Sequence, residues 1–70
     1  MFWWYERKGQ HLRVEVLQIA VNEYELHVVD PDGTETVEIF TDADDLAKRQ
    51  VRLQQTVTRE GWTGPHGWVI

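Results

Sequence analysis

The sequence predicts an α+β fold, in which a four-stranded antiparallel sheet, connected as a meander, is followed by one C-terminal helix packed on one face (ββββα). Three observations support this prediction. Apolar and polar residues alternate along residues 2–40, which is the period of a β-strand. Glycine, asparagine and proline interrupt the alternation, as hairpin turns require. After Thr41 the apolar spacing changes to that of an amphipathic helix.

A chain of 70 residues predicts one small domain over residues 1–70. The expected elements are strands at about residues 2–7, 11–20, 24–29 and 34–40, a helix at about 42–60 and an irregular tail at 61–70.

The first two strands are joined by a turn at Gly9. Residues 2–5 are all aromatic, which favours a pleated, half-buried surface. In the second strand, apolar side chains occupy even positions up to Val16, whereas Leu17 and Ile19 continue the series on odd positions. Two explanations fit this change of parity. Either a β-bulge near Val16 and Leu17 returns the residues to one face, or the strand is buried on both faces at that end.

The third and fourth strands are bounded by strong turn signals. Asn22 tolerates the left-handed backbone region and closes the preceding turn. Residues 24–28 then alternate, and Asp30-Pro31-Asp32-Gly33 has the composition of a tight turn. A fourth alternating segment ends at Phe40. These signals predict two further antiparallel hairpin connections.

The predicted helix has recognisable ends. Thr41 or Asp42 can cap its N-terminus, and the acidic residues in its first turn suit the positive end of the helix dipole. Gly61 is placed to end the helix, and Trp62 is placed to pack back onto its last turn. The inward-facing stripe is predicted to contain Ala43, Leu46, Ala47, Gln50, Leu53, Gln54 and Val57, with Val51 at its edge. The outer face should carry Lys48, Arg52 and Arg59.

Both faces of the predicted sheet carry large apolar side chains. Phe2 and Trp4 point to one face, and Trp3 and Tyr5 to the other. One helix about 10 Å wide covers at most two or three strands about 4.8 Å apart, so an apolar face should remain for a partner. We therefore expect a homodimer formed back to back through an aromatic sheet face.

The predicted contact residues of that dimer are Trp3, Trp4, Tyr5 and Trp68. Two alternatives remain open. The dimer can form edge to edge instead, or the C-terminal residues 68–70 can fold over the bare face within one monomer.

The sequence carries no catalytic signature. It lacks serine and cysteine, and it contains no phosphate-binding loop, zinc-protease motif, nucleophile elbow or dinucleotide fingerprint. Glu25 precedes His27 by two residues, and His11 lies on a neighbouring predicted strand, but we interpret these side chains and His66 as solvated polar residues. We expect no enzyme activity, no metal and no cofactor.

The alternative function is binding of single-stranded nucleic acid. Aromatic residues on strands can stack bases, and Trp3 and Tyr5 would do so here, with Arg7, Lys8 and Arg13 as phosphate contacts. The charge disfavours this interpretation, because residues 1–41 contain three basic and eight acidic side chains, whereas phosphate binding needs basic ones.

The prediction is therefore a small, acidic, non-catalytic protein-interaction module that self-associates. The chain has 7 Lys and Arg against 12 Asp and Glu, with a net charge of −5, so a basic protein surface is a further possible partner. No apolar run approaches the length of a membrane span, and the N-terminus does not resemble a secretory signal. These observations predict no membrane association and a cytoplasmic location.

Overall fold

The computed structural model describes the backbone of residues 1–69 and the side chains of residues 1–67. The elements are β1 (Phe2–Arg7), β2 (Gln10–Ala20), β3 (Glu23–Val29), β4 (Glu35–Phe40), α1 (Ala43–Arg59) and β5 (Thr63–Val69). The described residues form a five-stranded sheet with the order β4-β3-β2-β1-β5. All neighbouring strands are antiparallel. The α+β class is confirmed, whereas the order ββββα is incomplete because a fifth strand follows the helix.

The prediction of an irregular tail at residues 61–70 is wrong over Thr63–Val69, which forms β5 beside β1. Its pairing is interrupted by two register shifts, and its sequence contains two glycines and a proline. This composition hides the strand from pattern analysis. An edge strand tolerates it, because only one of its sides must supply ladder hydrogen bonds.

The parity change in β2 has a different origin from the predicted bulge. Val16 and Leu17 pair in unbroken register with β3, and the register shift falls further along, between Gln18 and Ala20. A bulge near Val16 is therefore wrong. Leu17 lies on the face opposite Val16, as the second explanation requires, but Leu17 and Ile19 are both exposed rather than buried.

The hydrophobic core lies between α1 and one face of the sheet. Its most deeply buried side chains are Trp3, Val14 and Leu26. The other buried members are Tyr5, Leu12, Val16, Leu46, Leu53, Val57 and Trp62. Because residues paired across strands share a face, β1, β2 and β3 together supply the sheet side of this core.

The inward stripe of α1 differs from the predicted one at three positions, because Gln54 is exposed and two alanines are exposed as well. Leu46, Leu53 and Val57 are buried as expected, whereas Ala43 and Ala47 are exposed. Arg49 is half-buried instead, and its Nε atom donates to Glu38 Oε2 at 3.0 Å. The ion pair attaches the helix to β4 and rotates its inner face toward Arg49.

Both helix ends follow the sequence prediction. Asp42 is the N-cap, and its carboxylate accepts a hydrogen bond from the Asp44 backbone N–H at 2.8 Å. At the C-terminus, Gly61 has a φ of 92°, and the Trp62 N–H donates to the Val57 carbonyl at 3.0 Å. This is the Schellman arrangement that glycine permits. It turns the buried Trp62 ring back under the helix.

Candidate interaction surface

The sheet face opposite the helix is called the open face here, because no described element covers it. Direct cross-strand partners share a face, so the register assigns its members. They are Phe2, Trp4, Glu6, His11, Arg13, Glu15, Leu17, Glu25, His27, Val29, Glu35, Val37, Ile39, Thr63 and His66. This surface mixes apolar, acidic and titratable side chains.

An aliphatic patch occupies one end of the open face. It consists of Leu17, Val37 and Ile39, which are between 39% and 63% exposed. Leu17 and Ile39 lie on either side of Glu25 in adjacent strands. Clustered branched aliphatic side chains in water carry an unfavourable hydration free energy, so this patch favours association.

An aromatic group occupies the other side of the open face. The Trp4 ring centroid lies 6.1 Å from those of Phe2 and His66. The indole also covers Gly67, where a Cβ atom would overlap its six-membered ring. Trp4 is half-buried by these neighbours, so it presents a fixed apolar surface rather than a freely rotating side chain.

A cluster of ionisable groups lies between the two apolar regions. His27 Nε2 is 2.9 Å from Glu25 Oε1, and His27 Nδ1 is 3.7 Å from Glu35 Oε1. Glu15 is the cross-strand partner of His27. The hydrogen bond that the protonated imidazole donates to Glu25, with the charges of Glu35, Glu25 and Glu15, raises the pKa of His27, although desolvation opposes the shift.

The charge of the open face is negative when its histidines are neutral. Its permanent charges are Arg13 and the four carboxylates of Glu6, Glu15, Glu25 and Glu35. This net negative charge repels phosphate groups. It favours either a basic partner surface or conditions in which the face takes up protons.

The described residues contain no group of three His, Cys, Asp or Glu side chains arranged to hold a metal ion. His27 and Glu25 are joined by a direct hydrogen bond rather than by a shared metal ion. Among residues 1–69, no helix is long and apolar enough to cross a bilayer.

The structure separates the residues predicted to form the contact surface. Trp3 and Tyr5 are each 2% exposed and lie in the core, where the Trp3 indole N–H donates to the Tyr5 hydroxyl at 3.3 Å. Trp4 lies on the open face. The side chain of Trp68 is outside the described residues, as is all of Ile70. Of the predicted contact residues whose side chains the structure describes, Trp4 is the one on the open face.

The residues of the nucleic-acid alternative are also dispersed. Arg7 Nη1 donates to the Glu60 carbonyl at 2.8 Å, and its guanidinium lies 4.7 Å from the Trp62 ring centroid. Lys8 belongs to the β1–β2 turn, and Arg13 lies on the open face. The two proposed stacking residues, Trp3 and Tyr5, are covered by the helix side of the core.

Sequence reasoning missed the aliphatic patch as the main exposed apolar feature. Its signal was present, because Leu17, Val37 and Ile39 all occupy odd positions. The contact surface was predicted at the aromatic residues of β1 instead. The acidic surroundings of His27 needed the strand register, because Glu15 and Glu35 belong to different strands.

Comparison with known proteins gives no relative: no family model matches the chain, and neither curated proteins nor solved structures show significant similarity to it. What the protein does must therefore be inferred from the open face itself.

Proposed function

We propose that this protein is a small non-catalytic interaction module that self-associates, with the open faces of two copies packed back to back. The observation that carries the proposal is the aliphatic patch of Leu17, Val37 and Ile39, which is exposed on the face away from the helix. Phe2 and Trp4 extend the apolar surface across the sheet. Burial of these side chains supplies the free energy of association.

The dimensions of the open face suit a second copy. Five strands spaced about 4.8 Å apart and about 20 Å long present roughly 480 Å² of flat area per copy. Two copies therefore bury about 960 Å², without counting the additional surface area of the protruding side chains. This area is close to the roughly 1,000 Å² that a specific interface needs. A second sheet of the same twist matches this surface at the usual face-to-face spacing of about 10 Å.

The small size of the chain gives a second reason for association. A domain near this length buries only about 60% of the surface of its unfolded chain, so its stability is marginal. Natural domains of this size often add a disulfide, a metal or a partner subunit. The chain has no cysteine, and the described residues show no metal cluster. A second subunit supplies the additional burial.

The experiment compares two substitutions of similar exposure on opposite sides of the molecule. Ile39 is 63% exposed on the open face, and Val51 is 56% exposed on the outer side of α1. Neither side chain belongs to the core, so glutamate at either position removes no core packing. Light scattering then measures the mass of wild type, Ile39→Glu and Val51→Glu at equal concentrations.

We expect wild type and Val51→Glu to have twice the monomer mass of 8.3 kDa and Ile39→Glu to be monomeric. A monomeric wild-type protein at about 100 μM, well above a micromolar dissociation constant, contradicts self-association. Equal dimerisation of both variants places the contact elsewhere, such as a sheet edge, and contradicts the open-face proposal.

A further inference from the structure

His27 occupies the middle of the open face, surrounded by carboxylates from three strands. Glu25 of its own strand contacts one ring nitrogen, and Glu35 of β4 approaches the other. Glu15 faces it from β2, and Val37 faces it from β4. Arg13 and Phe2 line the same shallow depression as His27, Glu15 and Glu35. Any partner covering the aliphatic patch also covers this cluster.

The charge of the cluster opposes burial when the imidazole is neutral. The hydrogen-bonded pair of Glu25 and His27 then carries one negative charge, and Glu15 and Glu35 add two more against the single positive charge of Arg13. Packing two such faces together removes water from these carboxylates and places like charges near one another, and both effects cost free energy. One proton on each His27 makes the Glu25–His27 pair neutral.

We propose that protonation of His27 controls the association of two open faces, so that the dimer tightens as the pH falls from about 8 to about 6, the range in which histidine titrates. This inference rests on the proposed back-to-back dimer. Because the dimer brings additional carboxylates over each imidazole, it binds protons more strongly than the monomer does. Thermodynamic linkage then requires the free energy of association to become more favourable as the pH falls.

The test measures the dimer dissociation constant by sedimentation equilibrium at about pH 6 and pH 8, the two sides of a histidine titration. The wild-type dissociation constant should be at least about tenfold lower at the acidic pH, since each proton taken up contributes up to a factor of ten per pH unit. In His27→Gln the ratio should fall to near one. His11→Gln is the matched control on the same face and should keep the wild-type ratio.

A second variant keeps the test decisive if His27→Gln folds poorly. Glu35 is 52% exposed, and its carboxylate lies 3.7 Å from the imidazole, so Glu35→Gln removes one negative charge without breaking the bond between His27 and Glu25. This variant should dimerise more tightly than wild type at about pH 8, the alkaline side of a histidine titration, and show a smaller pH ratio.

The possible failures are distinguishable. A dimer whose dissociation constant is the same at both pH values overturns the role of His27 and leaves the dimer standing. A pH dependence that persists in His27→Gln has the same consequence. A chain that stays monomeric at both pH values overturns the proposed function and, with it, this inference.

Discussion

The indole of Trp4 lies against the backbone of Gly67, in the space that any β-carbon at that position would occupy. Gly67 also has a φ of 63°, a conformation that favours glycine. The contact joins the first strand of the sheet to the last, because Trp4 belongs to β1 and Gly67 to β5. It fixes the Trp4 ring on the open face and keeps β5 at the edge of the sheet.

Gly67→Ala should therefore destabilise the protein through both strain and displacement of the Trp4 ring. We expect a loss of about 2 kcal/mol or more, of which about 1 kcal/mol comes from the left-handed backbone alone. Gly9→Ala is the control, because Gly9 has a φ of 78° and no neighbour within 4 Å of an added β-carbon. Urea unfolding measures the difference, and equal losses in the two variants would rule out a packing role for the Trp4 contact.

Arg7 should contribute to stability rather than to ligand binding. Its guanidinium bonds to the Glu60 carbonyl at the C-terminal end of α1 and lies over Trp62. Arg7→Met removes the charged hydrogen bond and the cation–π contact, for an expected loss of about 1–2 kcal/mol. Lys48→Met, on the exposed side of the helix, should change the free energy of unfolding by less than about 0.5 kcal/mol. Equal effects would show that the contacts of Arg7 with Glu60 and Trp62 do not stabilise the fold.

Single-stranded nucleic acid should not bind appreciably. Trp3 and Tyr5 are buried, and the face that carries Trp4 has four carboxylates and one arginine. Titration with mixed-sequence single-stranded DNA and RNA, followed by tryptophan fluorescence at about 50 mM salt, should leave the signal unchanged, because phosphate contacts depend on basic residues. Quenching that weakens at about 200 mM salt is the signature of phosphate binding. That result would favour the nucleic-acid alternative.

The raised pKa of His27 predicts a pH-dependent contribution to the stability of the monomer. The folded state binds the proton more strongly than the unfolded chain, so the contribution is fully present below the unfolded pKa of about 6.5 and is lost as the pH rises through the folded pKa. His27→Gln should therefore cost more stability at about pH 5.5 than at about pH 8.5. Urea unfolding of both proteins in the Ile39→Glu background separates this effect from dimerisation. A loss of stability that is the same at both pH values would contradict this prediction.

The hairpins were predictable from local signals. Lys8 and Gly9 both have positive φ values, as does Asn22, so the residues at these two turns select the backbone conformation that the connections need. The alternation also placed Phe2 and Trp4 on the opposite face from Trp3 and Tyr5, as the register shows. Local chemistry and binary pattern agree in this part of the chain, which is why its boundaries were recovered to within about one residue.

Features that depend on distant contacts were not predictable. β5 forms although Thr63–Val69 has no alternating pattern, because Gly64 and Gly67 let β1 side chains approach its backbone. The inward rotation of Arg49 depends on Glu38, eleven residues away on β4. The position of the β2 register shift is likewise set by pairing with β3. Each of these follows from tertiary packing, which overrides local propensity.

The most direct test of self-association is isotope-filtered NMR on a mixture of labelled and unlabelled protein, which detects contacts between copies only. Back-to-back packing predicts intermolecular NOEs among the methyl groups of Leu17, Val37 and Ile39, which are exposed on the open face. The methyl groups of Val51, on the helix, should show none. Intermolecular NOEs confined to the helix or to the edge strands, or their absence at millimolar concentration, would contradict a dimer built on the open face.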